Sequence, residues 1–177
     1  RAKLINEIRA AEKNVLLVDA GDIFQGTPYF NLYRGEPEMK AMSMMGYEAG
    51  TIGNHDFDAG IENLAEKIST YAKFPFIICN YDFMGTPMEN LYHPYKVIRK
   101  GELTIGITGV GIELVGLVGQ GLYGSTKYLD PVQQASRTAE YLKKKKNCDM
   151  VICLSHLGDK YTDSKISDEL LAQRSSH

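Results

Sequence analysis

Short apolar runs alternate with amphipathic segments along most of the chain. Leu4, Ile5 and Ile8 recur at the spacing of one helix face within residues 1–13. The next segment, Val15 to Val18, is a continuous apolar run of the kind that forms a buried parallel strand. The same alternation predicts later helices at residues 37–45, 61–68 and 166–173 and later strands at residues 47–52, 75–79 and 150–154. Helices that alternate with short buried strands predict an α/β sandwich with mixed, largely parallel sheets.

The middle of the chain departs from this simple alternation. Tyr95 to Ile98 and Leu103 to Val110 flank Gly101, a pattern that predicts a hairpin. Residues 111–129 contain five glycines and no clear period, so we expect a long surface loop there. Asp130-Pro131 then indicates a helix start, because aspartate caps free backbone N–H groups and proline suits the first helical position.

Polar residues of the kinds that bind metals follow four of the predicted strands, at Asp22, Asn54-His55, Asn80 and His156. One aspartate after a strand is more often a helix cap, and one histidine is more often a structural hydrogen-bonding residue. Four such positions together favour a functional site, because ligands of α/β sheets bind beyond the carboxyl ends of the strands.

The candidate ligands offer carboxylate oxygen, amide oxygen and imidazole nitrogen, a set that suits Zn, Mn or Fe ions. Two metal ions about 3.5–4 Å apart need a bridging carboxylate. Asp22 is the candidate for that bridge, since Gly21 before it lets the backbone turn tightly. The densest polar run is Gly53-Asn54-His55-Asp56-Phe57-Asp58, whose amide, imidazole and two carboxylates have no use in a hydrophobic core.

Composition and charge argue against several other classes of protein. The net charge is −2, so there is no electrostatic case for nucleic acid, and the basic run Lys143 to Lys146 is interpreted as solvated surface. No apolar stretch approaches the roughly 18 residues of a membrane span. Three irregularly spaced cysteines argue against a disulfide framework. The glycine-rich stretch Gly116 to Gly121 lacks the strand and helix that a dinucleotide-binding loop requires.

Three motifs carry a resemblance to the calcineurin-like metallophosphoesterases: Gly21-Asp22-Ile23-Phe24-Gln25-Gly26, Gly53-Asn54-His55-Asp56-Phe57-Asp58 and Leu154-Ser155-His156-Leu157-Gly158. More narrowly, they resemble the catalytic domain of the 5′-nucleotidase / UDP-sugar hydrolase / 2′,3′-cyclic phosphodiesterase family. The second motif is the most specific, because an aspartate follows the histidine by three residues. The similarity in order and spacing runs from about Val15 to Gly158.

The resemblance implies a role for each matched residue. Asp22 would bridge two divalent metal ions, and Asn54 and His156 would bind one of them. His55 would lie beside the scissile phosphate, with Asp58 orienting it as a catalytic dyad. The implied reaction is hydrolysis of a nucleotide phosphate ester, in which a metal-bound hydroxide attacks phosphorus and His55 assists the leaving group. Asp56 stands where the family accepts either acid and is interpreted as structural, and Asn80, which the family does not use as a ligand, is expected to cap backbone groups.

Two ligand motifs of the family have no counterpart in the sequence. Residues 1–14 contain no His or Asp that could form its first Asp-x-His motif, and His177 does not belong to its late Gly-His-x-His motif. The C-terminal substrate domain of two-domain members is also unmatched. We therefore expect residues 1–177 to be a single, truncated catalytic domain. Metal occupancy and hydrolase activity are expected to be weak or absent in the chain by itself.

Alternative functions remain open. The same fold could serve a nucleotide-sugar or cyclic-nucleotide phosphodiesterase, or a catalytically inactive binding module. Intact His55 and Asp58 count against the inactive module, which would have no need of the dyad. The resemblance also implies a small nucleotide as the binding partner and export to the periplasm or the cell surface.

Overall fold

A computed structural model describes residues 1–26 and 28–175, and His177 lies outside the described residues. The helices are α1 (Ala2–Ala11), α2 (Pro28–Tyr33), α3 (Glu36–Met45), α4 (Ile61–Tyr71), α5 (Gln120–Tyr123), α6 (Pro131–Lys144) and α7 (Asp168–Arg174), with a short 3₁₀ helix at His55–Phe57. The strands are β1 (Val18–Asp19), β2 (Ala49–Gly50), β3 (Phe76–Ile77), β4 (Tyr81–Asp82), β5 (Tyr92–His93), β6 (Tyr95–Lys100), β7 (Leu103–Gly111), β8 (Lys127–Tyr128) and β9 (Met150–His156).

The strands form two principal sheets and a small two-stranded one. The first principal sheet has the order β1-β2-β3-β5, and all its neighbouring strands are parallel. The second has the order β6-β7-β9, in which β6 and β7 form the predicted antiparallel hairpin while β7 and β9 are parallel. Strand β4 pairs with β8 in the antiparallel direction. The predicted α/β architecture with mixed, largely parallel sheets is therefore confirmed.

Helices α4 and α6 bury their apolar faces as the sequence predicts, whereas α1 forms as predicted but buries none of its residues. Helix α4 buries Ile61, Leu64 and Ile68, and each such side chain contributes about 1.5–3 kcal/mol when fully buried. Helix α6 begins as predicted, because the Asp130 carboxylate accepts a hydrogen bond from the Gln133 N–H at 2.8 Å. Every helix in the described parts of the chain is too short or too polar to span a lipid bilayer.

The prediction of a long surface loop over residues 111–129 is wrong. Ile112, Leu114 and Val118 are buried, and the segment also contains helix α5 and strand β8. Its glycines obscure the apolar positions, whose packing partners lie far away in the sequence. The segment is therefore anchored in the core at these three residues while most of its other residues are exposed, and its strand β8 pairs with β4.

The strands of the first sheet are shorter than the sequence predicts. The apolar run from Val15 to Val18 is half-buried, and only its last residue belongs to β1. Strand β1 lies at an edge of its sheet among the described strands, so one side of it lacks the cover that the apolar pattern suggests. The short strands still position the site residues, because these parallel strands all end in loops at the same edge of the sheet.

Candidate active site

Asp22 lies on a tight turn directly after β1. Gly21 and Asp22 both have positive φ, at 96° and 58°, a left-handed conformation that costs a non-glycine residue about 1–2 kcal/mol. The Asp19 carboxylate accepts a hydrogen bond from the Gly21 N–H at 2.9 Å and holds this turn. Backbone strain of this kind persists only where surrounding contacts impose it, and it concentrates at functional sites.

Asp56 supplies the contacts that impose this conformation. Its side chain is fully buried, and its two oxygens accept hydrogen bonds from the N–H groups of Asp22 (3.1 Å), Ile23 (2.9 Å), Phe24 (3.2 Å) and Gly53 (2.8 Å). Desolvation raises the pKa of Asp56 to about 6, against the opposing effect of these donors. One carboxylate thus joins the loop after β1 to the loop after β2, which confirms the structural interpretation of Asp56.

Asp22 and His156 meet across the two sheets. The Asp22 Oδ2 lies 3.1 Å from the His156 Nε2, and the His156 Nδ1 lies 2.8 Å from the backbone oxygen of Ala20. Burial acts to raise the pKa of Asp22. The hydrogen bonds from the His156 ring and from the backbone N–H of His55 outweigh this effect, so the pKa of Asp22 is lowered. The hydrogen bond to Asp22 raises the pKa of His156, although burial opposes it.

Two glycines make this close approach sterically possible. A Cβ atom on Gly53 would lie 2.7 Å from the Asp22 nitrogen and 2.7 Å from the His156 Nε2. A Cβ atom on Gly21 would lie 2.7 Å from the Gly53 nitrogen. Any larger residue at either position would push the carboxylate and the imidazole apart. The glycines of both motifs are therefore needed for the pairing as well as for the turns.

His55 and Asp58, the two residues that the family resemblance implies as a dyad, lie within hydrogen-bonding distance of each other. The 3₁₀ helix brings the His55 Nδ1 within 2.9 Å of the Asp58 Oδ2. The hydrogen bond to Asp58 raises the pKa of His55. The His55 side chain is 49% exposed and that of Asp58 only 24%, so the imidazole faces solvent and the carboxylate stands behind it. The backbone N–H of His55 also donates to the Asp22 Oδ1 at 2.9 Å, which connects His55 and Asp58 to the Asp22–His156 pair.

Asn54 and Asn80 take different positions around this pair. Asn54 lies between Gly53 and His55, both of which contact Asp22, and its side chain makes no capping hydrogen bond to the 3₁₀ helix that follows. Asn80 is buried and exchanges two 2.8 Å hydrogen bonds with the backbone of Gly111. The expected backbone-capping role of Asn80 is therefore confirmed.

The donor chemistry fits a divalent cation at Asp22 and His156. If the His156 Nδ1–H donates to the Ala20 carbonyl, the Nε2 lone pair faces the Asp22 carboxylate. Two electron-rich atoms at 3.1 Å need a proton or a cation between them. A backbone carbonyl that accepts from the other ring nitrogen orients metal-binding histidines in this way. Within residues 1–26 and 28–175, no three or more His, Cys, Asp or Glu side chains cluster as a metal site. Asp22 and His156 form a pair, to which Asn54 is the adjacent amide donor.

Gln25 is a site residue that the sequence analysis did not single out. Its Nε2 donates a hydrogen bond to the Asp58 Oδ2 at 2.7 Å. The signal that could have found it is its place in the Gly21 to Gly26 motif, three residues after Asp22.

The fold is an α/β sandwich that gathers carboxylate and imidazole groups at the ends of its strands. Residues 1–175 match the model of the calcineurin-like phosphoesterases, and the chain belongs to that family. It is 34% identical over 163 residues to a 5′-nucleotidase of Vibrio cholerae, a match that covers 89% of this chain and 29% of the relative. It is 43% identical over 108 residues to the 5′-nucleotidase of Homo sapiens, covering 59% of this chain and 19% of that protein.

Among solved structures, the 5′-nucleotidase precursor from Thermus thermophilus superposes with a TM-score of 0.80 at 34% identity. That match covers 89% of this chain and 31% of the neighbour. The chain therefore spans less than a third of the length of these relatives.

Proposed function

We propose that the protein hydrolyses phosphate esters of nucleotides as a metal-dependent, 5′-nucleotidase-like enzyme. The observation that carries the proposal is the contact of 2.9 Å between the His55 Nδ1 and the Asp58 Oδ2. The backbone N–H of His55 joins this dyad to the Asp22–His156 pair. Phosphoryl transfer is catalysed largely by positioning and by electrostatic stabilisation of charge, and a fixed imidazole beside a metal-type carboxylate can supply both. The relatives named 5′-nucleotidase support a nucleotide as the substrate.

Asp22, Asn54 and His156 would hold the divalent ions, with zinc or manganese the candidates that suit such donors. Asp22 suits the bridging role because its Oδ1 faces the His55 N–H while its Oδ2 faces His156, and each oxygen keeps a further lone pair. When bound, the ions supply Lewis-acid activation of water and of the phosphoryl oxygens. The lowered pKa of Asp22 keeps its carboxylate ionised and ready for such a cation.

His55 would stabilise or protonate the leaving oxygen. Asp58 occupies the Nδ1 side of the imidazole, so the Nε2 is the ring nitrogen left for the substrate. The hydrogen bond to Asp58 raises the pKa of His55, which enlarges the protonated fraction at neutral pH. A protonated imidazole can donate to the oxygen on which negative charge develops, as a general acid does.

We also propose that the chain is part of a catalytic domain and draws further metal ligands from flanking sequence. Asp22, Asn54 and His156 are three donors, whereas two ions with closed coordination shells need more than three protein ligands between them. The relatives extend well beyond the matched segment. Export to the periplasm or cell surface belongs to the same proposal by family resemblance, and fractionation of the producing cell tests it.

The direct test is a metal-dependent assay of phosphoester hydrolysis, in which released phosphate is measured and the nucleotide products are separated by chromatography. The 177-residue chain and the chain with its native flanking sequence are stripped with EDTA, reloaded with Mn²⁺ or Zn²⁺, and given nucleoside monophosphates, nucleotide sugars and 2′,3′-cyclic nucleotides. We expect metal-dependent release of phosphate from monophosphates by the flanked chain and little or none by the chain alone. Asp22→Asn should abolish it, and Asp163→Asn, at an exposed aspartate, should not. Preference for another ester, or turnover unaffected by EDTA and by Asp22→Asn, would contradict the proposal.

A further inference from the structure

Gln25 has an unusual backbone and a fixed side chain. Its φ of 81° is in the left-handed region that residues other than glycine rarely adopt. Its Nε2 donates to the Asp58 Oδ2 at 2.7 Å, and its Oε1 accepts from the Gly26 N–H at 3.0 Å. Turning the amide over would set its oxygen against a carboxylate and its NH₂ against an N–H. The hydrogen-bond network therefore allows one orientation of the amide.

The oxygen that Gln25 holds is the one that meets the imidazole. The Asp58 Oδ2 receives the Gln25 amide at 2.7 Å and faces the His55 Nδ1 at 2.9 Å. A carboxylate turns easily about its last torsion, which has broad minima. Two donors that converge on one oxygen remove that freedom. The amide thus selects the carboxylate rotamer in which the dyad is formed.

Gln25 also belongs to the loop that carries Asp22. This loop is fixed to the segment from Gly53 to Asp58 by the Asp56 carboxylate and by the contact between Asp22 and the His55 N–H. The Gln25–Asp58 hydrogen bond adds a third attachment, at the far end of the loop. The residues that hold the candidate metal and the dyad are therefore parts of one hydrogen-bonded unit.

We propose that Gln25 is a positioning residue that holds the Asp58 carboxylate against the His55 Nδ1. The inference deepens the proposed function and rests on it only in so far as the dyad acts in catalysis. Gln25 acts through Asp58, since its own polar atoms are engaged by Asp58 and Gly26.

The first test needs no activity. Long-range proton–nitrogen NMR reports which nitrogen of the His55 ring carries the proton when the ring is neutral. The Nδ1–H tautomer should dominate in the wild type, and Gln25→Ala should lower its ratio to the Nε2–H tautomer by about threefold, a partial loss of one hydrogen bond. Gln173→Ala is the matched control, because Gln173 donates to the Glu169 carboxylate at 3.2 Å on α7. A Gln25→Ala protein with unchanged His55 nitrogen shifts overturns the proposal.

The second test uses the metal-loaded chain with its native flanking sequence. Gln25→Ala should lower kcat on a nucleoside monophosphate by about 10-fold while KM stays near its wild-type value, because only assistance to the leaving group is weakened. The loss should be smaller on p-nitrophenyl phosphate, whose leaving group needs little protonation. A general structural defect would lower both rates equally and would contradict the proposal.

Gln25→Glu separates the hydrogen bond from the shape of the side chain. Glutamate fills the same space but sets a second carboxylate against Asp58, so its kcat should be no higher than that of Gln25→Ala. Wild-type behaviour of Gln25→Glu in both tests would overturn the positioning role. A wild-type protein inactive on every phosphate ester would instead overturn the proposed function, and the NMR result alone would then decide the role of Gln25.

Discussion

Replacing Asp56 with alanine tests how the two site loops are held together. The buried Asp56 carboxylate accepts four backbone N–H groups at 2.8 to 3.2 Å, three from the loop after β1 and one from Gly53. Alanine leaves these donors without an acceptor. A buried N–H donor left without an acceptor costs about 1–3 kcal/mol. Water can enter the space that the carboxylate vacates and accept from these donors, so the cost of each should lie near the low end of that range. The four together should cost about 4–6 kcal/mol.

Loss of a buried charge offsets part of this cost. The pKa of Asp56 is raised to about 6 in the folded chain by burial, against about 3.9 in an unfolded one. The stability that this group contributes is therefore complete below the unfolded pKa and falls as the pH rises through about 6. The fall amounts to about 3 kcal/mol. Near pH 7.5 the net destabilisation by Asp56→Ala should be about 1–3 kcal/mol, and near pH 5 it should be larger by on the order of 1 kcal/mol.

Urea unfolding at the two pH values measures both quantities. Asp163→Ala is the control, because the exposed Asp163 accepts one backbone N–H at 3.0 Å and its loss should change the free energy of unfolding by about 0.5 kcal/mol or less. If Asp56→Ala is as mild as this control at both pH values, the Asp56 carboxylate does not hold the two loops together. A destabilisation that grows as the pH rises would refute the assignment of a raised pKa to Asp56.

Three further predictions concern the metal site and the dyad. In the metal-free chain the raised pKa of His156 means that its pairing is stabilising below about pH 6.5 and is lost as the pH rises through the folded pKa. The urea-measured stability difference between wild type and His156→Asn should therefore shrink as the pH rises, and a difference that stays constant would contradict the pairing. Gly53→Ala should weaken Mn²⁺ binding by about 10- to 100-fold in calorimetry, whereas Gly121→Ala, with open space around it, should not. His55→Ala should lower kcat of the flanked chain roughly 10²- to 10⁴-fold in a phosphate-release assay. A smaller loss would contradict the proposed role of His55 as a general acid.

Local signals made α1, α3, α4, α6 and α7 predictable from the sequence, whereas the short helices α2 and α5 were missed. The apolar stripe of α4 and the Asp130-Pro131 start of α6 act within a few residues, so the sequence displays them directly. Strand limits depend instead on partners that are distant in the chain. Residues 111–129 show this most clearly, because the burial of Leu114 and the pairing of β8 with β4 leave no periodic trace.

The candidate site was predictable as a set of residues but not as an arrangement. Motif spacing placed Asp22, Asn54 and His156 after strands, and the three-residue interval from His55 to Asp58 matches one turn of the 3₁₀ helix. The four donors to Asp56 and the role of Gln25 depend on the left-handed backbone of residues 21–26. That conformation is imposed by contacts between two loops, so no local pattern shows it.

The central claim is that Asp22 and His156 hold a catalytic divalent ion beside the His55–Asp58 dyad. Anomalous diffraction from crystals of the flanked chain grown with Zn²⁺ tests it most directly. We predict a metal peak about 2.0–2.2 Å from an Asp22 oxygen and from the His156 Nε2, with the Asn54 amide oxygen in the same shell and His55 still bound to Asp58. A peak elsewhere, with the His156 Nε2 still hydrogen-bonded to Asp22, would contradict the account.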